Sequence, residues 1–290
     1  MLLRSQIQMR DPYVFVENGK YYLYGTTDTN CWRGQPDGFD AYISEDLIHF
    51  EHGGRIFSPH EDFWGTENYW APEMHKYQGE YYLFASFKAP GRRRATSILK
   101  ASNPLGPFMP WGEETATPAE WECLDGTLYV DDAGRPYIIF CHEWVQEGGG
   151  TICISPLKDD LSGPAGKPQT LFAARDAAWA KQIAHSSGIS GHVTDGPFVF
   201  RPQNEQLWML WSSMSETGYA IGLSISEGGN ILGPWRQAER PVYSGDGGHG
   251  MIFRDLKGRL LLTIHTPNNT PNERPVFMEI TESEKGLSFV

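Results

Sequence analysis

Long apolar runs are missing from this chain, and so is any excess of positive charge. No stretch approaches the roughly 20 apolar residues that cross a bilayer. The 290 residues contain 24 Lys and Arg against 36 Asp and Glu, which gives a formal net charge of −12. Such an acidic chain argues against nucleic acids and anionic membrane surfaces as partners. It is compatible with a neutral substrate.

A secretory signal is also missing, because the N-terminal MLLRSQIQMRDP has no apolar core of about 7–15 residues. We therefore expect a cytoplasmic protein, or a secreted one whose signal has been removed. Cysteine is scarce: the chain has 4, and no CxxC pair suggests a zinc ribbon or a redox motif. We expect these cysteines to be buried free thiols.

Five segments share one pattern. Each has an ionisable residue, a short apolar strand, a turn rich in Gly, Asn, Asp or Gln, and a second apolar strand. The ionisable residues are Asp11, Glu73, Asp125, Asp195 and His249. Alternation of apolar and polar residues around a turn predicts a β-hairpin. Hairpins recurring at intervals somewhat above about 40–50 residues predict four-stranded propeller blades.

The sequence thus predicts an all-β fold, a five-bladed β-propeller that forms a single domain over residues 1–290. The blades are expected at about 10–60, 66–118, 122–173, 193–240 and 245–285. A closed ring would bring the five ionisable residues together near the central axis. The alternative is a β-sandwich with coincidental hairpins. Between blades three and four, the Ala-rich ARDAAWAKQIA predicts a short helix.

Three of the five leading residues are aspartates: Asp11, Asp125 and Asp195. Carboxylates that converge raise one another's pKa, and two carboxyl groups with separated pKa values are the recurring device of glycoside hydrolysis. Asp before Pro or Gly is also a common turn residue. For each aspartate taken alone, that turn interpretation stays open.

The motifs RDPYVF, YWAPE, LDGTLY, TDGPF and GGHGMIF, in this order, resemble glycoside hydrolase family 43. That family comprises five-bladed propeller arabinofuranosidases, xylosidases and arabinanases, and the resemblance extends from about Arg10 to Thr266. It implies that Asp11 is the general base that activates water. It implies that Asp125 orients the acid and raises its pKa, and that Asp195 is the general acid. It also implies inversion, with base and acid about 6.5–9.5 Å apart.

One position departs from the family pattern. The acid is usually Glu in a Glu-Gly-Pro run, whereas this chain has Asp195 in TDGP. The side chain is one methylene shorter, so its reach falls by about one carbon–carbon bond length. Two carboxylates expected at the rim, Glu143 and Glu216, are alternative proton donors.

The residues expected to bind substrate are aromatic or polar and lie near the predicted rim. Family members commonly have Trp-Ala-Pro-Asp where this chain has Trp70 to Glu73. We interpret Trp70 and Glu73 as residues that support the site and form a wall beside the sugar. Trp32 and Trp144 are further candidates for stacking under a sugar ring, with core packing as the alternative. His142 is a candidate hydrogen-bond partner of the substrate.

The resemblance also implies a structural calcium or sodium ion in the central channel, near His249 in GGHG. A single histidine with water ligands is a weak metal site on chemical grounds. No organic cofactor is expected. The expected partner is an oligosaccharide substrate, and the oligomeric state is left open.

The predicted function is an inverting hydrolase that releases terminal α-L-arabinofuranosyl residues from plant-type oligo- and polysaccharides. The preference for terminal residues rests on the long loops after blades one and three. β-D-Xylosidase and endo-arabinanase activities are alternatives within the family. Fructan and sucrose hydrolases are a rival, but their Asn-Asp-Pro-Asn run is missing from this sequence. A non-catalytic sugar-binding propeller is a second rival, motivated by Asp195.

Overall fold

A computed structural model describes residues 1–34, 36–186, 188–203, 206–283 and 286–290, without the side chain of Glu147. The first two blades contain strands β1 (Leu2–Leu3), β2 (Arg10–Glu17), β3 (Lys20–Thr26), β4 (Phe39–Ser44), β5 (His49–Phe57), β6 (Glu67–Tyr77), β7 (Glu80–Lys88), β8 (Ala95–Ala101) and β9 (Met109–Pro110). The third blade contains β10 (Cys123–Val130), β11 (Pro136–His142), β12 (Thr151–Pro156) and β13 (Gln169–Ala173). After a two-stranded excursion, β14 (Gln182–Ala184) and β15 (Ser190–His192), the last blades contain β16 (Asp195–Phe200), β17 (Trp208–Ser215), β18 (Gly218–Ser226), β19 (Trp235–Gln237), β20 (Gly248–Arg254), β21 (Leu260–Thr266), β22 (Arg274–Ser283) and β23 (Gly286–Phe289). In these described ranges, helical residues form 3₁₀ turns at Arg4–Gln6 and Ala174–Asp176 and one α-helical turn, α1, at Trp144–Glu147.

Apart from the β14-β15 pair, the strands of the described residues form five antiparallel sheets in the chain order that the repeat predicts. Their orders are β1-β5-β4-β3-β2, β6-β7-β8-β9, β10-β11-β12-β13, β16-β17-β18-β19 and β20-β21-β22-β23. The five-bladed propeller is therefore confirmed. One feature was not predicted: β1 pairs with β5, so the residues before the expected start of blade one add a strand to its outer edge.

The helix expected between blades three and four is wrong. The Ala-rich segment forms a 3₁₀ turn at Ala174–Asp176, and the chain then enters β14, which pairs with β15. Ala177, Trp179 and Ala180 are buried in the core between blades three and four. Tertiary burial of these apolar side chains overrides the helix propensity of alanine.

The inner strand of every blade is interrupted by a β-bulge at the same place. The register breaks lie between Arg10 and Tyr13, Trp70 and Glu73, Leu124 and Thr127, Asp195 and Phe198, and Gly248 and Met251. Each bulge contains one residue with left-handed backbone: Asp11 (φ 55°), Ala71 (47°), Asp125 (56°), Gly196 (51°) and His249 (46°). Bulges re-aim side chains and are common beside active sites.

The bulges show that the five leading ionisable residues are not all equivalent, although the sequence pattern predicted that they are. Asp11, Asp125 and His249 do occupy equivalent positions, at the left-handed residue. Asp195 lies one residue before that position, and Glu73 lies two residues after it. The spacing of motifs along the sequence could not resolve this shift, because a bulge adds a residue without changing the alternation that follows.

A ring of hydrogen bonds joins each blade to the next through these bulges. The backbone N–H of a bulge residue donates to a side chain at the end of the second strand in the preceding blade. The pairs are Ala71 to Thr26 Oγ1 (2.8 Å), Asp125 to Ser86 Oγ (2.8 Å), His249 to Ser212 Oγ (2.8 Å) and Asp11 to His265 Nδ1 (3.0 Å). The last pair connects the first blade to the fifth. At the remaining junction, Gly196 donates to Oδ2 of Asp125 (2.9 Å).

The core lies between the faces of neighbouring sheets and is rich in aromatic residues. Trp208, Trp211, Phe57 and Phe87 are among its largest fully buried side chains. The four cysteines are buried thiols outside any disulfide, as expected. Among the residues that the structure describes, no helix is long and apolar enough to cross a membrane.

Candidate active site

A pocket of about 480 Å³ opens where the bulges of the inner strands meet. This volume falls within the range of about 300–1,000 Å³ that is typical of small-molecule sites. Its lining includes most of the predicted site residues: Asp11, Trp32, Trp70, Asp125, Trp144, Asp195 and His249. The structure therefore brings together the three aspartates that are far apart in the sequence.

Asp11 is held in a setting that favours its ionised form. The hydroxyl of Thr26 donates to its Oδ2 (2.7 Å), and Nδ1 of His249 lies 3.2 Å from its Oδ1. Burial opposes ionisation, but the surrounding groups, His249 and Arg10 foremost, together lower the pKa of Asp11. An ionised carboxylate in a pocket can accept a proton from water.

His265 also approaches Asp11, but this contact is not an ion pair. Its Nδ1 accepts the backbone N–H of Asp11, so the ring proton resides on Nε2, which faces Oδ1 of Asn268 at 3.3 Å. Burial, reinforced by the charge of Arg10, lowers the pKa of His265 to about 4. A neutral His265 therefore fixes the position of Asp11 without contributing charge.

Asp125 and Asp195 have the opposite electrostatic setting. Burial, together with the charge of Asp195, raises the pKa of Asp125, and the nearby His249 opposes this shift. Burial likewise raises the pKa of Asp195, against the effects of His249 and of a hydrogen bond from Tyr219 (2.9 Å). Asp195 therefore holds a proton at a higher pH than an ordinary aspartate, whereas Asp11 loses its proton readily. This separation is the one that acid–base chemistry requires.

His249 lies between two of the carboxylates, with Nδ1 at 3.2 Å from Asp11 and 3.5 Å from Asp125. Burial alone would lower its pKa, but the surrounding carboxylates raise it. Its Nε2 is buried without a hydrogen-bond partner. The ring thus supplies positive charge in the middle of the acidic cluster.

The donor set near His249 fits a calcium ion poorly. Calcium takes about 6–8 oxygen ligands, and the described residues contain no group of three or more His, Cys, Asp or Glu side chains arranged to hold a metal ion. An ion at the unpartnered Nε2 would depend mostly on water. The calcium or sodium ion stays a prediction.

One wall of the pocket is built from stacked aromatic and cationic groups. Trp70 donates from Nε1 to the carbonyl of Cys31 (2.6 Å), and the guanidinium of Arg94 lies 4.0 Å from the centroid of its ring. Trp32 packs edge-on against Trp70 at 5.1 Å, with Arg10 5.0 Å from the centroid of its ring. Cation–π contacts of this kind hold rings in fixed orientations. An aromatic face is thus available to a sugar ring.

Glu143 lines the pocket and pairs with Arg94, whose Nη1 donates to Oε2 at 2.5 Å. The other predicted alternative donor, Glu216, is exposed, pairs with Lys181 at 2.9 Å and lies outside the pocket lining. Glu143 therefore presents an acceptor to the pocket, because the guanidinium holds its carboxylate by a charge-assisted bond.

Two predicted substrate-binding residues, His142 and Glu73, lie outside the pocket lining. His142 stacks on Trp121 with ring centroids 4.4 Å apart, and its Nε2 lies 3.0 Å from Oε1 of Gln146. Glu73 lies past the bulge of its strand, with Oε2 3.4 Å from Nε2 of His75. The geometry gives no support to direct substrate contact by these two residues. For Glu73 the physical reason is its displaced register.

The sequence did not single out Arg94 or Tyr219 as functional residues. Arg94 stands in a run of three arginines, and Tyr219 stands in the regular apolar strand GYAIGLSIS. Neither setting carries a local signal, since the importance of both side chains comes from partners in other segments.

The sequence matches the family described as glycosyl hydrolases family 43 over residues 5–286. A crystal structure of an endo-arabinase from Bacteroides thetaiotaomicron is 40% identical, with a TM-score of 0.92 over 99% of both chains. An extracellular exo-α-(1→5)-L-arabinofuranosidase of Cellvibrio japonicus is 24% identical over 80% of this chain and 67% of its own length. A xylosidase/arabinosidase of Humicola insolens is 27% identical over 52% of this chain and 48% of its own length.

Proposed function

This chain belongs to glycosyl hydrolase family 43, and on that premise we propose that it releases terminal α-L-arabinofuranosyl residues from plant-type oligo- and polysaccharides with inversion. It is a glycoside hydrolase, and its substrate is a carbohydrate. The observation that supports the mechanism is the pairing of a readily ionised Asp11 with a proton-holding Asp195 in one pocket.

Each carboxyl group has a role in the proposed reaction. Asp11 accepts a proton from water as the water oxygen forms a bond to the anomeric carbon. Asp195 gives its proton to the glycosidic oxygen as that carbon–oxygen bond breaks. Asp125 orients the acid, because its Oδ2 accepts the N–H of Gly196, the residue next to Asp195. Attack on the face opposite the leaving group gives inversion.

Action on chain ends is supported by the loops around the pocket. Trp32 comes from the loop after the inner hairpin of blade one, and Trp144 and Ile183 come from the long segments of blade three and its excursion. Walls contributed from several sides fit one terminal sugar better than an open groove does. The relative from Cellvibrio japonicus, named an exo-acting arabinofuranosidase, is consistent with this proposal.

Endo-arabinanase activity is a second candidate. It is favoured by the 40% identity to the Bacteroides thetaiotaomicron structure described as an endo-arabinase. The two candidates differ in their first products. An exo-acting enzyme releases arabinose from the start, whereas an endo-acting enzyme first produces a mixture of shorter oligosaccharides from a long arabinan.

NMR of the products from arabino- and xylo-oligosaccharides tests the proposal. We expect free arabinose as the first product, with inverted anomeric configuration, and loss of hydrolysis in Asp11→Asn and Asp195→Asn. Release of xylose alone would assign β-xylosidase activity. Retained configuration, or full activity in both variants, would contradict the proposed roles.

Relatives from Cellvibrio japonicus and Streptomyces chartreusis are named extracellular. For this chain, we infer action wherever short arabino-oligosaccharides are available, in the cytoplasm or outside the cell. Cell fractionation followed by immunodetection distinguishes the two locations.

A further inference from the structure

We propose that Tyr219 is a positioning residue that adapts the site to its shortened acid. It binds one oxygen of Asp195, and its ring packs against His265, which in turn binds the backbone of Asp11. This inference rests on the proposed acid–base function. It concerns the residue that sets the relative position of the two catalytic carboxyl groups.

The first observation is the hydrogen bond between the two side chains. The hydroxyl of Tyr219 donates to Oδ2 of Asp195 at 2.9 Å. The carbonyl oxygen of a protonated carboxyl group is a better acceptor than its hydroxyl oxygen. The proton of the acid is therefore assigned to Oδ1, and rotation of the carboxyl group is restrained. An aspartate lacks the extra methylene with which a glutamate can reach its target. Its carboxyl group must therefore be placed correctly by a neighbouring side chain.

The second observation is the packing of the Tyr219 ring on His265. Their ring centroids are 5.6 Å apart and the planes are inclined by 24°. His265 accepts the backbone N–H of Asp11 at 3.0 Å. One stacked pair thus contacts the acid at one end and the base at the other. The stack connects blade four, which carries the acid, to blades five and one.

The third observation is the space left for the ring by Gly248. The residue before the left-handed position is Arg10, Trp70, Leu124 or Asp195 in the first four blades, but it is Gly248 in the fifth. A Cβ on Gly248 would lie 2.4 Å from Cε1 of Tyr219. The ring of Tyr219 therefore fills the place that a side chain takes in the other blades. A smaller fifth position is the structural condition for its contact with Asp195.

The test is Tyr219→Phe, which keeps the ring and its stack on His265 but removes the hydroxyl. Wild type and variant are compared on 4-nitrophenyl α-L-arabinofuranoside, whose leaving group needs little protonation, and on arabinotriose, whose leaving group needs the acid. If the wild type cleaves xylosides instead, the corresponding xylosides are used. Tyr24→Phe is the matched control, because Tyr24 is fully buried and donates to the carbonyl of Pro104 (2.7 Å) outside the pocket.

We expect Tyr219→Phe to lower kcat/KM for arabinotriose by about 10- to 100-fold, a fraction of the total contribution of a general acid. For the nitrophenyl substrate we expect kcat/KM to fall by less than about threefold, because its leaving group needs little protonation. The alkaline limb of the arabinotriose pH profile should move to higher pH, because the lost bond stabilised ionised Asp195. The charged or titratable groups that influence Asp195 include Asp11, Asp125, Glu143, Tyr219 and His249, and only Tyr219 changes.

Equal losses on both substrates with an unmoved alkaline limb would assign Tyr219 a structural role only and overturn the inference. Unchanged rates on both substrates would overturn it as well. Tyr24→Phe should resemble the wild type on both. Failure of the proposed function is a different result: the wild-type enzyme itself would then hydrolyse none of the glycosides.

Discussion

Nδ1 of His249 lies 3.2 Å from Oδ1 of Asp11, so a buried imidazole ring faces the carboxylate that would activate water. The same nitrogen lies 3.5 Å from Asp125. Positive charge on His249 thus favours ionisation of each carboxyl group in the cluster. The pH dependence of the enzyme should therefore depend on this histidine.

Replacing His249 by Gln should move both limbs of the kcat/KM pH profile to higher pH. His249 lowers the pKa of Asp11, so its loss raises the pKa of the base and shifts the acid limb upward. His249 also opposes the raised pKa of Asp195, so its loss shifts the alkaline limb upward. The exposed His52, replaced by Gln, is the control. Limbs that stay in place would show that His249 carries no charge in the free enzyme.

Replacing Asp195 by Glu should lower activity, even though Glu is the usual acid in the family pattern. The carboxyl group would move outward by one methylene and lose its hydrogen bond from Tyr219. We expect kcat for arabinotriose to fall about tenfold or more, within the range for a misplaced general acid. Steady-state kinetics on arabinotriose and on 4-nitrophenyl α-L-arabinofuranoside measure the effect. A faster enzyme would show that the pocket is not adapted to aspartate.

Replacing Glu143 by Gln should weaken substrate binding without removing the acid. Loss of a hydrogen bond to a charged acceptor corresponds to an increase in KM of about 10- to 100-fold. The value of kcat should change little, because Asp195 remains in place. The alkaline limb should move to lower pH, because the charge of Glu143 raises the pKa of Asp195. Glu216→Gln, at the exposed partner of Lys181, is the matched control. An alkaline limb that disappears in Glu143→Gln would instead identify Glu143 as the proton donor.

The buried ion pair between Arg10 and Glu273 should be important for stability. Nη1 of Arg10 lies 2.6 Å from Oε1 of Glu273, whose side chain is fully buried. Arg10→Met should lower the free energy of unfolding by about 3–5 kcal/mol, because it leaves a buried charge unpaired. Urea unfolding of this variant, of Glu273→Leu and of the double variant measures the coupling. The double variant should be more stable than Arg10→Met, and additive losses would contradict the argument.

Removing bound metal should leave hydrolysis unchanged within about twofold, because calcium requires about 6–8 oxygen ligands. The residues that the structure describes assemble no such set of side chains beside His249. Dialysis against EDTA, followed by kinetics and metal analysis, makes the measurement, and added CaCl₂ is the control. A loss of activity that calcium restores would establish the axial ion.

The bulge register shows where prediction from the sequence ended. Each blade begins with a local hairpin, so alternation and turn residues were enough to predict five units and their order. The same pattern predicted that Glu73 and Asp195 are equivalent to Asp11. Glu73 lies two residues after the left-handed residue of its bulge, and Asp195 lies one residue before it. A displacement of this size is visible only in the pairing of the strands.

The sequence by itself determined the propeller and three convergent aspartates, because these depend on short-range pattern and on the symmetry of a closed ring. The tertiary structure decided which groups hold them: Tyr219 beside Asp195, His265 behind Asp11, and Arg94 against Glu143. These partners come from different blades or loops. Their contacts arise from packing between sheets, for which no local spacing in the chain gives a signal.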